Sequence, residues 1–137
     1  MKKKVKVVGA IIENEKNEVL CALRSFDMAL SNYWEFPGGK VEEGESLKTA
    51  LEREITEELD CEVVANEKVY DSYTHEYEKV IVELITVKCR ITSGTPFPKE
   101  HKSLLWLDKS HLGSLNWAPA DIPTVDKLIA EAMLLKF

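Results

Sequence analysis

Between Trp34 and Cys61 a loop containing Pro37, Gly38 and Gly39 runs straight into a stretch with helical periodicity. At about 100° per residue, Leu47, Leu51, Ile55 and Leu59 share one stripe. The spacing therefore predicts an amphipathic helix over Ser46–Leu59 with that stripe packed on a core. Seven glutamates lie between Glu42 and Glu58, against only Lys48 and Arg53. Glu58 falls about 40° from the centre of the apolar stripe and Glu54 about 80°. Glu57 lies further round, one turn from Glu54. Glutamates that serve only solubility sit opposite the stripe; these border it, where like charges three and four residues apart repel by a few tenths of a kcal/mol per pair. Two readings follow from spacing: a solvated acidic helix, or a site where a hard divalent cation such as Mg²⁺ takes carboxylate oxygens. The marginal burial and the Gly-Gly pair, which lets backbone approach a ligand closely, tilt the balance toward the cation.

The segment resembles the Nudix box, G-x5-E-x7-R-E-U-x-E-E-x-G-U, where U is a bulky aliphatic. Gly39, Glu45, Arg53, Glu54, Ile55, Glu57 and Glu58 match at the right spacing. Two positions depart: Asp60 stands for the late glycine and Cys61 for the last aliphatic. That glycine ends the helix, and Asp tolerates left-handed backbone better than most residues, so the departure is expected to touch the turn more than the chemistry.

The rest of the chain bounds the answer. At 137 residues and 15.6 kDa it is read as one domain, 1–137, with room for a proper core. A net charge of −6 argues against a nucleic-acid polymer as partner, while a nucleotide stays open because a bound metal supplies positive charge locally. Cys21, Cys61 and Cys89 are odd in number and far apart, with no C-x-x-C; they read as reduced thiols of a cytoplasmic protein, not zinc ligands. No run approaches the ~20 apolar residues of a membrane span, and the lysines at 2–4 read as the end of a first strand.

In chain order, Lys4–Glu13 and Val19–Leu23 read as strands joined in a hairpin at Asn14–Asn17. Glu62–Ala65 opens another strand. Lys68–His75 and Lys79–Ile91 form a hairpin around Tyr77, its second strand apolar on both faces and hence central. His75 belongs to that hairpin more than to chemistry. Thr92–Lys102 is a loop, Ser103–Leu107 a strand, and Asp108–Leu115 a helical turn. From Pro123 to Lys136 a helix returns, with Val125, Leu128, Ile129, Ala132 and Leu135 on one face. Asp121 before it reads first as a helix cap.

The resemblance covers nearly the whole chain and implies the Nudix fold: an α/β (α+β) mixed β-sheet sandwiched between helices, with the box as loop-helix-loop. It implies that Glu54, Glu57 and Glu58, with the Gly39 carbonyl, bind Mg²⁺ (or Mn²⁺ in its place). Arg53 and Glu45 then orient carboxylates. Glu100 resembles a further metal-linked glutamate of the MutT-like branch, and either Glu54 or Glu100 serves as general base. Outside the box the likeness is to MutT-like nucleoside triphosphate pyrophosphohydrolases, most closely the CTP pyrophosphohydrolase branch, which makes Arg24 and Asp121 substrate-binding candidates; Lys40, beside the glycines, is a third because its charge suits a phosphate. Phe36 and Trp117 are candidate walls for the base, or equally core. An ionised Asp121 only accepts hydrogen bonds and suits the exocyclic amine of cytosine; a protonated one also donates, and oxidised purines return. The expected reaction is (d)NTP plus water giving (d)NMP and pyrophosphate, with CTP or dCTP first. The alternatives are 8-oxo-dGTP, ADP-ribose or a nucleotide sugar, and a nucleotide-sensing module that does not cleave. The partner is a small nucleotide, without nucleic acid or membrane, and the protein is a monomer or homodimer.

Overall fold

The computed structural model describes residues 1–135. Eight strands are present among them: β1 (Lys3–Ile12), β2 (Glu18–Leu23), β3 (Trp34–Glu35), β4 (Gly38–Lys40), β5 (Glu62–Ala65), β6 (Asp71–Glu76), β7 (Val80–Ser93) and β8 (Ser103–Asp108). The helices are α1 (Leu47–Leu59) and α2 (Ile122–Leu134), with 3-10 turns at Lys109–Ser114 and Pro119–Asp121.

A mixed sheet runs β4-β1-β7-β5, with β6 also paired to β7. β1 and β7 are parallel, in register from Lys3 opposite Val80 to Ile12 opposite Cys89, and the other pairs are antiparallel. β7 is thus central, as its two apolar faces imply. The alternation along β1 shows how the layers are built. Val8, Ala10 and Ile12 point into a core shared with Leu51, Ile55 and Leu59 of α1. Ile11 points the other way, toward Phe36, Trp117, and Val125 and Leu128 of α2. The sheet is therefore sandwiched between α1 and α2. Leu51, Ile55 and Leu59 are fully buried; each such side chain contributes roughly 1.5–3 kcal/mol of burial, enough to fix the rotation of α1 about its axis.

α1 begins where Ser46 caps it, its Oγ accepting from the Thr49 N–H at 3.1 Å. It ends at Asp60, which takes the left-handed conformation (φ 54°, ψ 36°) in place of a glycine. Three sequence expectations need correction. β1 and β2 do not form a hairpin: after one bridge between Glu13 and Val19 they part, β2 joining a separate antiparallel sheet in the order β3-β2-β8. β1 takes β4 and β7 on its two edges and β2 takes β3 and β8, so neither has an edge left for the other. Second, α2 starts at Ile122 and stops at Leu134, so Pro123 sits in its first turn; Lys136, the expected end, lies outside the described residues. Third, Leu135 is exposed rather than on the packing face.

Candidate active site

β4 lies antiparallel beside β1, with Gly39 opposite Val8 and Gly38 opposite Gly9. The two glycines do different things. A Cβ on Gly38 would run into the Val8 carbonyl, so this residue permits the strand pairing itself. A Cβ on Gly39 would fall where the Glu54 carboxylate stands, within 2.8 Å of its Oε1 and nearer still to its Oε2. The helix therefore lays Glu54 directly over the Gly39 backbone.

Arg53 ties this arrangement together. Its Nε and Nη2 donate to Glu45 Oε2 and Oε1 at 2.7 and 2.9 Å, a bidentate fork. Its Nη1 donates to Glu54 Oε1 at 3.0 Å and Glu57 Oε2 at 3.4 Å, and its Nη2 also reaches the Lys40 carbonyl at 3.3 Å. The guanidinium beside Glu45, helped by the Glu42 backbone, holds that carboxyl down to about 2. Arg53 in turn is held protonated still more firmly than an ordinary arginine by Glu45 and Glu54.

Glu58 is the buried member, 7% exposed. Burial, then a hydrogen bond with Glu54, then the charges of Glu54, Glu35 and Glu100 push its carboxyl far above the usual carboxylate range. Glu57 points outward, its side chain 58% exposed. Glu100 arrives on the loop after β7, which is stitched to the end of α1: the Phe97 N–H donates to the Leu59 carbonyl at 2.8 Å and the Lys99 N–H to the Glu58 carbonyl at 3.2 Å. Crowded carboxylates with hard oxygen donors, laid over a glycine backbone, suit an oxygen-seeking divalent cation, whose charge relieves their repulsion. Among the described residues no three acidic, His or Cys side chains converge on one point as they stand.

A second group lies at the end of the β3-β2-β8 sheet. Arg24 follows β2 and donates through Nη1 to Glu35 Oε1 at 2.6 Å and through Nε to the Ala29 carbonyl at 2.6 Å. The other Glu35 oxygen pairs with His101 Nε2 at 2.8 Å. Asp121 is buried and accepts from the Phe36 N–H through Oδ2 at 3.0 Å. Burial first, then the Glu35 charge, raise its carboxyl well above the ordinary value, partly opposed by the Phe36 N–H and by Arg24. Tyr77 adjoins this end, its hydroxyl accepting from the Ala120 N–H at 2.9 Å.

Of the remaining candidates one departs from expectation, and the others fall where one of their readings put them. Asp121 occupies the cap position of α2 but makes no capping bond; its carboxyl turns inward to Phe36. Phe36 and Trp117 are 3% and 5% exposed with ring centroids 4.8 Å apart, so they are core to each other and offer no open face to a ligand. Lys40 is exposed at the end of β4. His75 packs between the rings of Tyr73 and Tyr77. Glu35, His101 and Tyr77 are the residues that sequence reasoning passed over. Trp34, Glu35 and Phe36 read only as the lead into the glycine loop, and His101 stands in the shadow of Glu100; its being an ionisable residue beside a candidate ligand is the one signal that could have found it.

The NUDIX domain model matches residues 3–128. Among curated proteins, the chain is 37% identical to the CTP pyrophosphohydrolase of Escherichia coli over 128 residues, 93% of each chain. It is 30% identical to the 8-oxo-dGTP diphosphatase of Haemophilus influenzae over 130 residues, 95% of each. Among solved structures, the solution structure of the MutT protein of methicillin-resistant Staphylococcus aureus is 50% identical, with a TM-score of 0.76 over 96% of this chain and 99% of that one.

Proposed function

This chain belongs to the Nudix family of hydrolases, and from that premise we propose that it cleaves (deoxy)nucleoside triphosphates to the monophosphate and pyrophosphate with Mg²⁺, taking CTP or dCTP first. The observation that carries this reading is the pairing of Glu54, set over the Gly39 backbone, with the buried Glu58 beside it. Glu54, Glu57, Glu58 and the Gly39 carbonyl would hold the ion, with Glu100 on its far side. When bound, a divalent cation screens the charge of the pyrophosphate bridge, orients the phosphates and lowers the pKa of a nearby water.

The chain's own groups do the remaining work. Arg53, anchored on Glu45, keeps Glu54 from wandering and holds its carboxylate within reach of the phosphates. Lys40 stands at the rim, where its charge meets a phosphate. Glu54 or Glu100 takes the proton of the attacking water. Arg24 and Asp121 line the other end and read the base. A cytoplasmic setting fits the three free, buried cysteines, and among the described residues no helix is long and apolar enough to cross a membrane.

Asp121 supports a second reading. Its raised pKa favours the neutral acid, in which Oδ2 accepts from Phe36 and Oδ1 carries a hydroxyl free to donate. Cytosine meets such a group with N3, an acceptor beside its amine; an oxidised guanine meets it with O6. Hydrolysis of 8-oxo-dGTP is therefore the second candidate. Steady-state rates on a panel of CTP, dCTP, 8-oxo-dGTP, dGTP and ADP-ribose with Mg²⁺ rank them. A kcat/KM for CTP and dCTP at least tenfold above the rest is expected; turnover of ADP-ribose equal to or better than CTP would sink the triphosphate reading. Glu54→Gln separates enzyme from sensor: it should still bind nucleotide but release pyrophosphate at least ~100-fold more slowly, whereas a wild type that binds and never releases pyrophosphate is a sensor.

A further inference from the structure

Resting on that reading of the metal site, we infer that His101 is a positioning residue that seats Glu58 for cation binding and ties it to the Arg24–Glu35 clamp. The His101 side chain is 1% exposed, on a loop held at both ends: the Lys99 N–H donates to the Glu58 carbonyl at 3.2 Å and the Lys102 N–H to the Leu23 carbonyl at 2.9 Å. The backbone on both sides of the ring is therefore held in place. Nε2 meets Glu35 Oε2 at 2.8 Å, while Glu35 Oε1 accepts from Arg24 at 2.6 Å. A carboxylate already paired with a guanidinium acts as acceptor, so Nε2 carries a hydrogen and, in the neutral ring, Nδ1 is the bare nitrogen.

That Nδ1 is buried and has no hydrogen-bond partner among the described residues. It faces Glu58 Oε1 at 3.8 Å, one short step beyond a hydrogen bond. An unsatisfied buried polar atom is costly, and folded chains rarely leave one without a purpose. Here the vacant direction points at the most buried carboxylate of the candidate metal site. The partner it lacks is a hydrogen donor seated with Glu58, as a water accompanying a cation would be. The arrangement has the form of an outer support for a ligating carboxylate: Arg24 fixes Glu35, Glu35 fixes the imidazole, and the imidazole sets where Glu58 and its neighbours settle. It also joins the two ends of the site, since Arg24 lies with Asp121 and Glu58 with Glu54.

Two half-replacements of the ring test this. His101→Gln reaches Glu35 but presents nothing at the Nδ1 position; His101→Asn presents a polar atom near Nδ1 but does not reach Glu35. Glu35→Gln attacks the support from outside the core and serves if the histidine variants do not fold. Mn²⁺ binding is followed by electron paramagnetic resonance without nucleotide, alongside thermal melts and a kcat and KM for CTP. The expected result is a Kd for Mn²⁺ raised about 10-fold or more in each folded variant, the usual size of an outer-support loss, with kcat lowered and KM little changed. Mn²⁺ affinity within twofold of wild type in folded variants would make His101 a packing residue and overturn the inference alone. Wild type that fails to bind Mn²⁺ overturns the metal reading, and this inference with it.

Discussion

Adding one methyl group at Gly39 tests the site without altering any titratable residue. In Gly39→Ala the new Cβ lies 2.8 Å from Glu54 Oε1 and closer to Oε2, whereas ordinary contact begins at 3.4 Å. The obstacle is the far end of a flexible side chain, so the carboxylate swings aside and the backbone stays. Gly39 is not among the positive-φ glycines, so alanine is admitted there without strain. The unfolded chain loses entropy, which adds roughly 0.4–1 kcal/mol of stability, set against the disturbed Arg53–Glu54 bond. Thermal stability should therefore move little. The chemistry should not survive as well: displacing a positioned group by about 1 Å costs on the order of 100-fold in rate, or about 2.7 kcal/mol in the barrier. Pyrophosphate release from CTP gives kcat, a melt gives stability, and Mn²⁺ titration gives metal affinity. The expected outcome is a kcat about 100-fold lower and weaker Mn²⁺ binding in a folded protein. Wild-type turnover would show that Glu54 need not sit over Gly39, and loss of fold would show that its backbone is more constrained than argued. Gly38→Ala is the contrast: its Cβ meets the Val8 backbone, with the carbonyl carbon at 2.9 Å, and that strand cannot yield. This variant should fail to fold.

Asp121→Asn should stabilise the protein, and more so at high pH. The Asp121 carboxyl is raised in the fold, so the stability linked to its proton is complete below the unfolded value near 3.9 and is lost as pH rises through the folded value. Asn keeps the acceptor for the Phe36 N–H and has no such loss, so its melting-temperature gain at pH 8 should exceed that at pH 5; equal gains would mean Asp121 is not held as argued. Asp60→Gly removes a side chain from left-handed backbone and a negative charge from the C-terminal end of α1. It should add about 1 kcal/mol, read by urea titration, and leave kcat unchanged; a destabilised variant would refute this. Phe36→Ala opens a cavity against Trp117 and should cost roughly 3–5 kcal/mol, where a residue that merely walled a ligand pocket would lose affinity and little stability.

What the sequence alone determined was local and periodic. The spacing of Leu47, Leu51, Ile55 and Leu59 placed the packing face of α1 and set Glu58 at its border, where the fold buries it. Ser46 and Asp60 bounded the helix through backbone preferences that act over a single turn. The β6–β7 hairpin was legible because both its strands and its turn are contiguous. Other features needed the folded chain. Whether β1 pairs with β2 or with β7 depends on which strands compete for its edges, and its partner lies far along the sequence. Asp121 and Phe36 are 85 residues apart, and His101 and Glu35 are 66 apart. No periodicity encodes such meetings; they are decided where a helix end, a two-residue strand and a loop are brought to one place. Burial then does to Asp121 and Glu58 what no reading of the chain by itself reveals, because a carboxyl's pKa follows from what surrounds it and not from its neighbours in sequence.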